Sequence, residues 1–101
     1  MIFSPEQQKK IEELSGINYS LRKIAMYLDI KPSVIESEYR NPESEFRYRY
    51  DRGQLIKEAE RDMSLSEASK NGSITAIQHL DTKLEKRKMD EFKDRLLNGH
   101  L

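Results

Sequence analysis

Apolar residues along the 101-residue chain recur at steps of three and four, the period of helices with one buried face. Ser4-Pro5-Glu6-Gln7 is a dense helix start: Ser4 can cap, Pro5 suits the first helical position, and Gln7 stands where a capping box needs it. Ile11 and Leu14 give this first helix one apolar stripe, and Ser15-Gly16 is the expected stop, with Gly16 taking the left-handed conformation. A second helix begins after Asn18 or Ser20 and carries Leu21, Ile24, Ala25 and Leu28. Asp29-Ile30-Lys31-Pro32 ends it, because Pro32 cannot continue a helix but can open the next, which holds Val34, Ile35 and Tyr39.

Asn41-Pro42-Glu43 repeats the stop-and-start chemistry, with Asn41 as expected cap and Glu43 and Glu45 complementing the dipole, and marks the expected domain boundary. A long helix is read from Pro42 to about Ser69, with Phe46, Tyr50, Gly53, Ile56, Ala59 and Met63 at three-four spacing. Asn71-Gly72 closes it. From Ser73 a last helix carries Ile74, Ile77, Leu80 and Leu84, then Met89, Phe92 and Leu96 on a displaced stripe that implies a bend or a second contact surface, with fraying near Asn98-Gly99. The expected fold is all-α: a three-helix helix-turn-helix domain over 1–41, then a long antiparallel helical hairpin over 42–101 ending in a partner-binding tail.

Composition narrows this picture. Hydrophobic and charged residues each make up 36% of the chain and there is no Trp, so a single copy can bury only a small core and self-association is a natural remedy. Basic and acidic residues balance six to six through Asn41, six to seven from Pro42 to Gly72, and six to five afterwards. Non-specific DNA affinity comes mainly from neutralised phosphates, so a neutral chain binds weakly per copy unless cations cluster in space or several copies act together. The absence of cysteine removes disulfides and thiolate metal sites. With no apolar run near the ~20 residues of a membrane span and no signal-peptide pattern at the start, the expected address is the cytoplasm, that of a bacterial host if the chain is viral.

The segment Leu21 to Tyr39 supplies each part of a helix-turn-helix. Ala25 is the small residue that lets two helices cross closely, Ile24 and Leu28 flank it, Asp29 sits at the turn position usually given to Gly, Ile30 plugs the corner, and Ile35 anchors the recognition helix. Asp tolerates positive φ better than most residues. Glu38 departs from the motif, which often has an apolar residue there, and Tyr39 is expected to cover that part of the core. The groove-facing candidates are Lys31, Ser33, Glu36, Ser37 and Arg40, with Arg22 and Lys23 available to phosphates. Glu36 and Glu38 oppose phosphate binding. The plainer alternative is a three-helix bundle without DNA contact.

Phe46-Arg47-Tyr48-Arg49-Tyr50-Asp51-Arg52 interleaves aromatics and arginines, which can stack on bases, although core plus solvated face explains the spacing better. Gly53 inside a helix points to a close backbone crossing within or between subunits. Catalysis has little support, and no cofactor is implied. His79 and His100 pair with no carboxylate cluster or nucleophile, there is no Gly-rich phosphate loop, and Asp90, Glu91 and Asp94 are mixed with Lys93 and Arg95 as on a solvated face.

The order helix-turn-helix, aromatic helix with Tyr50 and Gly53, then Ala68-Ser69-Lys70-Asn71-Gly72-Ser73-Ile74-Thr75-Ala76-Ile77-Gln78-His79-Leu80 resembles the small terminase subunits of tailed bacteriophages. Many of these follow a helix-turn-helix with a hairpin whose turn looks like Ala-x-x-Asn-Gly, followed by Ala and Leu at four-residue spacing. The resemblance spans Leu21 to about Leu84. It implies a ring-forming, non-enzymatic subunit that binds double-stranded viral DNA and presents it to a large subunit with ATPase and nuclease activity. Phe46, Tyr50, Gly53, Ile56, Ala59, Met63, Ile77, Leu80 and Leu84 would then serve oligomerisation. Lys83 to Lys88 and the stripe Met89, Phe92 and Leu96 would be candidates for contacting DNA or the large subunit. Two other readings compete: a dimeric helix-turn-helix transcriptional regulator of a phage or mobile element, and a structural adaptor that has lost DNA binding.

Overall fold

A computed structural model describes residues 1–98 and is all-helical, with no strand among the described residues. Five helices follow one another: α1 Pro5–Gly16, α2 Leu21–Leu28, α3 Pro32–Arg40, α4 Glu45–Lys70 and α5 Ile74–Asn98. The chain forms two compact units, Met1–Ala59 and Glu60–Leu101. Gly99, read above as part of a frayed end, and His100, read above as without a catalytic partner, lie outside the described residues.

In the first unit the local signals act where the chain needs orphan backbone groups satisfied. Ser4 and Gln7 form the capping box: the Gln7 amide donates to Ser4 Oγ (3.1 Å) and the Ser4 amide to Gln7 Oε1 (2.9 Å). Ser20 caps α2 by accepting from the Lys23 amide at 3.2 Å. Asp29 closes α2 with φ 58° and ψ 45°, and Pro32 opens α3. Gly16 behaves differently from expectation. It is buried inside α1, and the left-handed residue is Asn18, φ 65°, because the backbone at Gly16 is needed for packing rather than for the turn.

The core of this unit joins Phe3, Ile11, Leu14, Ile24, Ala25, Ile35 and Phe46, with Leu21, Leu28, Ile30, Tyr39 and Tyr50 packed around it. Tyr39 meets Tyr50 edge-on at 5.1 Å between centroids, and in this way covers the core beside Glu38. Asn41-Pro42 therefore marks a turn within the first unit, and the two units part at Ala59 and Glu60 instead. Asn41 does not cap α4: its Oδ1 accepts from the Glu43 amide (3.0 Å), and the helix starts later, at Glu45, under the hydroxyl of buried Ser44 (3.0 Å from the Arg47 amide).

Two further corrections follow from how α4 meets α1. Phe46 is fully buried against Phe3, at 6.1 Å between ring centroids, and so serves the chain's own core rather than a contact between copies. Gly53 likewise serves an internal crossing: a Cβ built on it would stand 2.2 Å from the Glu12 carbonyl oxygen and 2.2 Å from Ser15 Oγ. Ser15 Oγ also donates to the Tyr50 carbonyl at 2.8 Å, and Tyr50 is half-buried in the same seam.

The second unit is built differently. Ser73 caps α5 by accepting from the Ala76 amide (3.2 Å), after Gly72 has turned the chain with φ 88°. Asp62 accepts from Lys83 Nζ at 2.7 Å and from Arg87, and these two hydrogen bonds hold its carboxyl below the usual range. Ala76 is buried and Leu80 half-buried, while Met63, Ile74, Ile77 and Leu84 remain exposed. α5 runs through Leu84 and Met89 as one unbroken helix, which puts the displaced stripe on a different face from Ile77 and Leu84.

Candidate nucleic-acid interface

Burial of one face of α3 dictates what the other presents. Ile35 is fully buried, and Ser33, Glu36, Ser37 and Arg40, at three-four spacing, form the opposite, exposed face. Lys31, which precedes the helix, makes no capping bond with its side chain and is exposed. On α2 the buried pair Ile24 and Ala25 leaves Arg22 and Lys23 outward. Every sequence-predicted contact residue is thus exposed, and among the described residues Arg22, Lys23, Lys31 and Arg40 form no ion pair. Four uncommitted cations stand on two consecutive helices and the residue before the second.

The two acidic residues of α3 separate in space. Glu36 shares the exposed face, whereas Glu38 is half-buried away from it. Two exposed carboxylates, Asp29 at the turn and Glu36, stand among four cations, which leaves this surface slightly basic although the chain is neutral, and a phosphate backbone favours a local excess of cations. Sequence reasoning missed Met26 and Tyr27, which are exposed on the same outer side of α2 as Arg22 and Lys23. Their spacing outside the Leu21, Ile24, Ala25, Leu28 stripe was the available signal. A tyrosine hydroxyl beside a lysine is a competent phosphate donor.

The arginine-aromatic segment is committed elsewhere. Arg49 donates from Nη1 to Glu12 at 2.9 Å and from Nε to Glu45 at 3.0 Å, and Arg52 donates to Glu12 at 2.6 Å. Arg47 pairs with Asp51 (3.0 Å), donates to the Tyr39 carbonyl (3.0 Å) and lies 4.4 Å over the Tyr39 ring. Burial alone would raise the Glu12 carboxyl, but the hydrogen bonds from Arg49 and Arg52 outweigh it and hold Glu12 below the usual glutamate value. These arginines fasten α4 to α1 and α3. An open groove of about 360 Å³ lined by Pro42, Arg47, Tyr48, Asp51, Arg52 and Leu55 flanks them.

Among the described residues no group of His, Asp and Glu side chains could hold a metal ion, and no helix is long and apolar enough to cross a membrane. No protein-family model, curated protein or solved structure matches the chain. Its functional reading therefore stands on the surface just described and on the short motifs.

Proposed function

We propose that the protein is a DNA-recognition subunit that acts as an assembly of many copies, of the kind represented by the small terminase subunits of tailed bacteriophages. In this reading α2, the turn at Asp29 and α3 are a helix-turn-helix, and the end of α4 with α5 is a helical hairpin that collects copies through Met63, Ile77 and Leu84. The assembly binds double-stranded viral DNA through Arg22, Lys23, Lys31, Ser33, Ser37 and Arg40 and delivers it to a large subunit that carries the chemistry. In this reading Glu36 accepts from a cytosine amine. The observation that carries the reading is the left-handed Asp29 closing α2 over buried Ala25 and Ile35, with an exposed face of α3 flanked by uncommitted cations. Multiplying that modest surface offsets the weak affinity of a neutral chain.

Fluorescence anisotropy with duplex DNA at several salt concentrations tests the reading. Lys31→Glu combined with Arg40→Glu should weaken binding by at least about tenfold and flatten the dependence of log K on log salt by about 2, as expected for two lost phosphate contacts. Unchanged affinity and slope would remove α3 from the DNA surface and favour the structural adaptor.

A further inference from the structure

The C-terminal half of α5 carries a surface that neither the core nor the DNA reading uses. At ~100° per residue, Ala76, Leu80, Lys83 and Arg87 fall on one side of the helix, the side that is partly buried and pairs with Asp62. Met89, Phe92 and Leu96 fall about half a turn away from it. They are 54%, 57% and 64% exposed, and the unit's own packing leaves them uncovered. Glu85, Lys88, Met89 and Phe92 line an open groove of about 450 Å³ along this stripe.

Glu85 stands in line with the stripe at its N-terminal end, and the charges that flank the stripe beyond it are basic. Lys88 and Arg95 run along one edge and Lys86 and Lys93 along the other, while Asp90, Glu91 and Asp94 sit toward the opposite side. Arg95 is paired with Glu91 at 2.8 Å, but Lys86, Lys88 and Lys93 are exposed and form no ion pair among the described residues. An apolar line between two basic edges complements an amphipathic helix whose own apolar line lies between carboxylates. A second copy of the stripe fits poorly, because a two-fold pairing sets lysines against lysines. An anionic membrane fits poorly too, since three apolar side chains make a small insertion face.

We infer that Met89, Phe92 and Leu96, edged by Lys86, Lys88 and Lys93, form a docking site for an acidic amphipathic helix of a partner protein. The site is independent of the DNA surface on α2 and α3. The test uses the full chain and a fluorescent synthetic helix of about 18 residues, long enough to hold its helical form, with leucines at heptad core positions and glutamates beside them. A twin peptide with lysines for the glutamates and vesicles of phosphatidylserine in phosphatidylcholine serve as alternatives. The acidic peptide should bind, Phe92→Ser should weaken it at least about tenfold, as loss of a buried aromatic does, and Lys88→Glu with Lys93→Glu should transfer the preference to the basic peptide. All three positions are exposed, so circular dichroism should show unchanged helix content. Failure of the acidic peptide to bind, equal binding of the two peptides, or indifference to Phe92→Ser overturns the inference. So does a Phe92-dependent attachment to vesicles, or a fall in the chain's solution mass on Phe92→Ser, which would give the stripe to a second copy.

Discussion

The two compact units share a helical vocabulary and differ in what they do with apolar surface. Met1–Ala59 buries Phe3, Ile11, Leu14, Ile24, Ala25, Ile35 and Phe46 in a continuous core sealed by aromatic edges and ion pairs. In Glu60–Leu101 the buried hydrophobic residue among those described is Ala76, and Met63, Ile74, Ile77, Leu84, Met89, Phe92, Leu96 and Leu97 face outward. Residues of this size are singly unremarkable on a surface, but seven on α5 with Met63 on α4 give this unit the larger exposed apolar area that the proposed assembly would cover. The first unit covers its apolar surface with its own chain, and the second leaves most of its large apolar side chains exposed.

The largest expected effect probes the finished side. Gly53→Ala places a methyl group against the Glu12 carbonyl and Ser15 Oγ, so α1 and α4 must separate, at a cost of about 3 kcal/mol in chemical denaturation. A cost under about 0.5 kcal/mol would mean that this seam does not hold the unit together. A smaller effect should come from Glu12→Gln, about 1 kcal/mol after allowing for solvent screening of its partners. Because the Glu12 carboxyl is held below its ordinary value in the folded chain, its contribution is complete above that ordinary value and is lost as pH falls through the lowered one. Thermal melts across acid pH should therefore show a steeper loss of stability for the parent chain than for Glu12→Gln. The smallest effect on a single copy belongs to Leu84→Ser. The residue is exposed, so in dilute solution stability should change by less than about 0.5 kcal/mol. At high concentration the same change should lower the melting temperature, if copies cover this face.

Much of this contrast was legible in the residues, and what was not has identifiable causes. The capping box at Ser4 and Gln7 and the left-handed turn at Asp29 follow from local chemistry, which a sequence carries completely. Asn41-Pro42-Glu43 carries equally clear local chemistry, yet it marks only a turn, because Phe46, Tyr50 and Gly53 bring the start of α4 back into the first core. A glycine in a helix announces a close crossing but not which backbone crosses it, and so Gly53 was equally consistent with a contact between copies. The exposed face of α3 followed from periodicity around Ile35. The capture of Arg49 and Arg52 by Glu12 did not, since pairs separated by most of a unit leave no local pattern. On α5 the step from Leu84 to Met89 signalled a change of face, and an unbroken helix turns that change into a second surface.

The central claim is that an unfinished second unit gathers copies so that a modest basic surface on α2 and α3 can hold DNA. Sedimentation equilibrium of the full chain over a range of concentrations tests it most directly. The account predicts a closed head-to-tail ring of roughly eight or more copies that dissociates when Leu84 is replaced by Ser. A monomer at all concentrations would contradict it, and a dimer that gains no further copies would transfer the DNA surface to a two-fold regulator.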